Sequence, residues 1–282
     1  MNKIKVTELF TSLQGEGRYV GVPSVFLRTF GCNFSCAGFG CAPGEKSIEA
    51  DIIAKDVHLY ANINDLPLAK TGCDSYISWH PAFKNFSPFY TTGELAKKIQ
   101  DILPNGKWQQ KSGNSVHLVI TGGEPLLGWQ RAYLELFKTP ELEGLEYITF
   151  ETNGTQHLST NLKEYISNDH RLYTFSVSPK LSSSGERRVD AIKPSVIEEY
   201  NGYGMTYLKF VVETEQHIDE VDEVVELYRE AGFDGNVYLM AVGGTEQSYF
   251  ANATKVADMA LARGYYYSPR LHVDLWKNGW AR

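Results

Sequence analysis

From Pro23 onward the chain alternates between short, almost wholly apolar runs and longer amphipathic ones. The apolar runs are PSVFLRTF (23–30), SVHLVI (115–120), EYITFE (146–151), LYTFSVS (172–178), MTYLKFVV (205–212), NVYLMAV (236–242) and GYYYSPRLH (264–272). Runs this short that stay apolar throughout are expected of parallel strands covered on both faces. The segments between them predict helices over 91–103, 129–138, 161–168, 217–232 and 249–264. In 217–232, Val221, Val224, Val225 and Tyr228 recur at helical spacing, and Gly232 stands where a C-terminal cap is wanted. Strand-then-helix repeats with short connections predict a parallel sheet or a (β/α) barrel. The chain has room for about six such units, not eight.

One stretch breaks this rhythm. Residues 37–90 follow the first strand with mixed polar and aromatic sequence and no clear strand–helix repeat. A connection that long inside a compact domain is functional or a small inserted substructure.

Composition narrows the class. With 282 residues, 43% hydrophobic and 22% charged, the chain can bury the core of a soluble enzyme. A net charge of −7 argues against a wide nucleic-acid interface, and GERRVD (185–190) reads as a solvated turn. No window approaches eighteen uninterrupted apolar residues, which argues against a membrane span. The start, MNKIKVTELF, lacks the apolar core and cleavage site of a secretory signal. A cytoplasmic location with reduced thiols is expected. The four cysteines then read as ligands, nucleophiles or core residues before disulfides.

Three of them, Cys32, Cys36 and Cys41, lie in RTFGCNFSCAGFGCAPGEK (28–46), at the carboxyl end of the first strand; Cys73 lies in TGCDSYISW. Barrel active sites are built at that end of the strands. Thiolates suit iron–sulfur clusters or zinc. Three cysteines on a four-iron cluster keep one iron free, whereas structural zinc wants four ligands. The three-residue gap between Cys32 and Cys36 favours a cluster over zinc, with buried unliganded thiols as a third reading. A second motif, ITGGEPLL (120–127), also ends a strand. Its glycines let backbone amides approach a ligand, and Glu124 suits a positively charged amine.

Together, Cys-x3-Cys after one strand and Gly-Gly-Glu-Pro after the next resemble the radical S-adenosylmethionine superfamily. Within it, ELFTSLQGEGRYVGVPSVFLRTFGCN (8–33) resembles the N-terminus of the 7-carboxy-7-deazaguanine synthase family. TGGEP, ETNGT (151–155), SVSPK (176–180) and YLKFVV (207–212) match further. The resemblance implies a partial (β/α)6 barrel, one domain over 1–282, and a [4Fe-4S] cluster, S-adenosyl-L-methionine and Mg²⁺ as cofactors. It implies conversion of 6-carboxy-5,6,7,8-tetrahydropterin to 7-carboxy-7-deazaguanine with release of ammonia. The usual family loop reads Cys-x3-Cys-x2-Cys-Asp-Thr. Here Phe39 replaces the third cysteine, and Cys73, Asp74 and Ser75 reproduce the end of the motif. Residues 37–72 are therefore expected to be an insertion within the cluster loop, carrying Cys41 as an extra thiol; the alternative is a compact Cys32, Cys36, Cys41 set with Cys73 buried.

Carried over position by position, the resemblance assigns the cluster to Cys32, Cys36 and Cys73, and Mg²⁺ to the Ser75 hydroxyl. It assigns the pterin to Leu13, Gln14, Gly15, Glu16, Arg28 and Thr121. Gly72, Asp74, Gly123, Glu124, Glu151, Asn153, Ser178, Pro179 and Lys180 fall at positions expected to hold S-adenosylmethionine. No residue acts as catalyst alone, because the radical comes from the cofactor. His272 lies where the family closes its substrate pocket, a place a packed core histidine would fill as well. A flavodoxin- or ferredoxin-type reductant and a homodimer are further implications, with no nucleic-acid or membrane partner. A glycyl-radical activase and a zinc-stabilised (β/α) binding protein are the competing readings.

Overall fold

The computed structural model describes residues 2–281. Strand β1 (Lys3–Leu13) pairs antiparallel with β2 (Pro23–Thr29), placing Phe10 opposite Phe26, and the short β3 (Phe89–Thr91) joins the other edge of β1. The remaining strands are β4 (His117–Gly122), β5 (Tyr147–Thr152), β6 (Leu172–Val177), β7 (Met205–Val212), β8 (Val237–Ala241) and β9 (Tyr266–Tyr267). From β2 onward every neighbouring pair is parallel, and the order is β3-β1-β2-β4-β5-β6-β7-β8-β9.

Helices follow the same progression. After α1 (Glu49–Lys55), in the long connection, come α2 (Thr92–Ile102), α3 (Gln130–Leu136), α4 (Thr160–Asn168), the single turn α5 (Arg188–Ala191), α6 (Pro194–Tyr203), α7 (Glu215–Glu230), α8 (Glu246–Arg263) and α9 (Leu271–Trp276). Six of them, α2, α3, α4, α6, α7 and α8, carry the six parallel crossovers. Because the strand order never reverses, right-handed crossovers put all six on one face, and the sheet curls around the other. The outer strands β3 and β9 do not pair with each other. The result is an open, partial (β/α)6 barrel, as expected from the sequence.

Strand alternation divides the two faces. Leu27, Leu118, Ile120, Phe150, Phe175, Leu208 and Phe210 are buried among the helices. The rings of Phe150, Phe175 and Tyr200 stack at centroid separations of 5.8 and 4.5 Å. The intervening residues Arg28, Thr121, Glu151, Ser176 and Lys209 turn to the concave face and line a cavity. Helix ends obey local chemistry. Thr91 and Glu94 form a capping box on α2, and Gly232 takes φ +96° just beyond α7. Among the described residues no helix is long and apolar enough to cross a membrane.

Three regions depart from the hydrophobic pattern. The run 264–272 contributes only Tyr266–Tyr267 as strand before the chain turns into α9. Pro269 has no N–H for a ladder, and the Ser268 hydroxyl instead accepts the Gly17 N–H at 2.8 Å. Helix α6 supplies the fourth crossover; it opens on Pro194, which suits a first helical turn. Segment 37–72 folds as α1 with short 3₁₀ turns. Ile53 and Leu66 pack there with Tyr76, Ile77 and Phe83 in a second small core. Trp280 closes that core from far along the chain: its indole donates to Leu66 O at 2.9 Å and its ring stands edge-on to Tyr76.

Candidate active site

The cavity lies at the carboxyl ends of the parallel strands and has two chemically different ends. At one end Cys32, Cys36 and Cys73 line its wall, and all four cysteines are free. Cys36 and Cys73 are brought together because the stems of the long segment are zipped. Ser47 N–H donates to Ala37 O and Gly72 N–H to Phe39 O, both at 2.7 Å, while Ser47 Oγ donates to Thr71 O. Cys41 lies outside the cavity wall, its thiol directed at Ala37 O. Cys36 adopts φ +49°, a left-handed backbone that non-glycine residues rarely take.

Burial dominates the three thiols. It pushes Cys32 up to about 12, with the Glu124 carboxylate adding to the rise. Cys73 is pushed up to about 11, first by burial and then by Asp74. Burial also raises Cys36 well above the usual thiol range, and Cys73 and Cys32 add to it. Lys180 is the cation that opposes all three shifts. Three thiolates can therefore coexist here only with added positive charge, which is what a thiolate-bound metal cluster brings. Among the described residues no three His, Cys, Asp or Glu side chains are grouped to hold one metal ion. The three thiols lie on one cavity wall. That arrangement suits separate irons of a cluster.

Backbone from the next strand closes on the thiols. A Cβ at Gly123 would lie 2.7 Å from the Cys32 Cβ and 2.5 Å from Gly31 O, so only glycine lets the two loops meet. Asn153, Glu151, Ser178 and Lys180 continue the wall at successive strand ends, with Gly72 and Asp74 flanking Cys73. Glu124 and Pro179 are not brought to the wall. The Glu124 carboxylate is fully buried and accepts the N–H groups of Leu126 and Asn153 and the Thr152 hydroxyl, at 3.0, 2.7 and 2.8 Å. It braces the end of β4 against the end of β5.

The other end is a network of buried charges. Glu16 pairs through one oxygen with Lys209 and through the other with Arg270, which also reaches Asp74 at 2.6 Å and the Gly243 carbonyl. Burial alone would raise the Glu16 pKa; the Lys209 ammonium and then the Arg270 guanidinium override it and hold the carboxyl well below its usual range. Gln14 donates to Glu151 at 3.0 Å while its carbonyl accepts the Glu16 N–H, so its amide is fixed. Gly15 lies under His272, whose ring would collide with any side chain there, and Leu271 N–H donates to Gly15 O. Burial, then Arg270, pushes His272 down to about 4, leaving it neutral at pH 7. Arg28 spans to Glu8 at 2.7 Å and to the Ser75 hydroxyl at 3.2 Å. Leu13 and Thr121 complete the wall.

Sequence reasoning missed Lys209 and Arg270. Both stand inside apolar runs, and a cation in a run otherwise buried on both faces was the available signal. His272, read there as either pocket or packing, lines the cavity.

No family model matches the chain. It is 32% identical to the 7-carboxy-7-deazaguanine synthase of Halobacterium salinarum, over 98% of this chain and 91% of that protein. It is 28% identical to the enzyme of the same name from Pyrobaculum aerophilum, over 98% of this chain and 96% of that one. Its fold is similar to the crystal structure of QueE from Escherichia coli, with a TM-score of 0.55 at 20% identity, covering 96% of this chain and 95% of that chain.

Proposed function

The chain belongs to the 7-carboxy-7-deazaguanine synthase family, and on that premise we propose that its cavity converts 6-carboxy-5,6,7,8-tetrahydropterin to 7-carboxy-7-deazaguanine with release of ammonia. The observation that carries the proposal is the meeting of two motifs in one cavity: three free thiols at one end and the SLQGEG loop at the other. When bound, a [4Fe-4S] cluster with S-adenosylmethionine supplies radical hydrogen abstraction.

The chain's own residues prepare for that chemistry. Cys32, Cys36 and Cys73 hold three irons, and residues 37–72 are an insertion between the second and third ligands. Glu151, Asn153, Ser178 and Lys180 receive S-adenosylmethionine beside the Gly123 backbone. The ionised Glu16 carboxylate accepts from the aminopyrimidinone edge of the pterin, against the neutral His272 ring. Arg28, with one edge of its fork on Glu8, keeps donors for the substrate carboxylate. Ser75 Oγ, which donates to Asp74 Oδ1 at 3.3 Å, would offer an oxygen to Mg²⁺, and the ion would help orient the substrate carboxylate. A flavodoxin- or ferredoxin-type protein supplies electrons, and the enzyme acts as a cytoplasmic homodimer.

The test is anaerobic incubation of the reconstituted chain with S-adenosylmethionine, reductant, Mg²⁺ and the carboxytetrahydropterin. Formation of the deazaguanine acid is expected. Formation of 5′-deoxyadenosine without it would point to another substrate, and no bound iron would overturn the cluster.

A further inference from the structure

Segment LSSSGE (181–186), after β6, forms a cradle for the loop that carries Cys36. The carboxylate of Glu186 accepts the N–H of Cys36 at 2.7 Å and that of Ser35 at 2.9 Å on the same oxygen, with the Ser35 hydroxyl at 3.3 Å. Two residues on, Gly38 N–H donates to Ser184 O at 2.9 Å, and a Cβ at Gly38 would stand 2.6 Å from Ser183 O. Cys36 keeps its left-handed backbone within this cradle. The arginines beside Glu186 are spent elsewhere: Arg187 pairs with Asp190, and Arg188 with Glu220 and Glu223. Among the described residues no cation forms an ion pair with Glu186; its partners on this loop are the two N–H groups and the Ser35 hydroxyl.

Resting on the cluster reading above, we propose that Glu186 is a positioning residue that fixes Cys36 and lowers the reduction potential of the cluster. The potential of an iron–sulfur cluster follows its net charge and the hydrogen bonds its sulfurs receive. Glu186 acts on the first of these: it adds a negative charge beside Cys36 while it holds the Ser35 and Cys36 N–H groups of the loop. A more negative potential is what reductive cleavage of a sulfonium demands.

The experiment compares the reconstituted full chain with Glu186→Gln and Glu186→Ala by iron content, spectroelectrochemical titration and iron loss to a chelator. Glutamine keeps an oxygen acceptor without the charge, so full iron content with a more positive potential is expected. Alanine loses both, so the potential also rises and iron leaves several-fold faster. Circular dichroism of the iron-free chains checks that both variants fold. A potential unchanged in both variants overturns the proposal. An unmodified chain that takes up no cluster refutes the cluster reading instead, so the two failures are distinguishable.

Discussion

The two ends of the cavity solve opposite electrostatic problems. At the SLQGEG end, Glu16, Asp74, Lys209 and Arg270 neutralise one another without help from any ligand. At the thiol end Lys180 is the cation common to the buried Cys32, Cys36 and Cys73, and all three are still pushed toward the protonated form. One end is complete as folded and presents a fixed shape. The other is electrically incomplete, and on the proposed reading it reaches its working charge state on loading. The two ends meet at Asp74, which pairs with Arg270 on one side and raises the Cys73 thiol on the other.

The largest expected effect tests the incomplete end. Cys73→Ala abolishes iron retention after anaerobic reconstitution, measured as iron and sulfide per chain, while Cys41→Ala leaves it intact. The reverse pattern would break both the comparison and the insertion reading. Next comes the complete end. Glu16→Ala leaves Lys209 and Arg270 buried without their shared partner, and is expected to cost about 3–5 kcal/mol of stability in denaturant titration. A double variant, Glu16→Gln with Lys209→Met, recovers much of that loss if mutual neutralisation is what matters.

A subtler probe is Arg270→Lys, which keeps the charge but loses the fork that holds Glu16 and Asp74 together. A loss of about 2 kcal/mol in kcat/KM is expected with iron content unchanged. Loss of iron in that variant would show that the two ends are not separable. The smallest effect is in pH. His272 and His117 are each pushed down to about 4, in both cases first by burial. Their unfolded counterparts titrate near 6.5, so between about pH 6.5 and 4 the unfolded chain binds protons that the folded chain does not. Stability therefore falls as pH drops through that window. His272→Asn flattens the slope, leaving the shares due to His117 and to His217, which burial also pushes down.

Much of the fold is legible in the amino-acid sequence. Six of the seven apolar runs are strands close to their expected bounds, because burial on both faces leaves a continuous signature. The seventh failed at Pro269, where one missing N–H outweighs the apolar neighbours. Residues at strand ends carried the site, since the topology gathers strand ends whatever lies between. Segment 37–72 was illegible for a different reason. Its one helix is seven residues long, and its core is finished by Trp280 from outside the segment. Glu186 was hidden in a turn whose neighbouring arginines do face solvent. Local sequence reports exposure well, but not which carboxylate turns back to bind a distant loop.

That Trp280 stitch also makes the small core a product of distant parts of the chain. The partner it covers, Leu66, lies 214 positions earlier, and Ala281 likewise reaches back 273 positions to the Glu8 carboxylate. Contacts of such sequence separation carry a high closure cost, so they are among the last to form and the first to open. The small core beside the Cys73 loop is therefore held from across nearly the whole fold rather than by the segment that builds it.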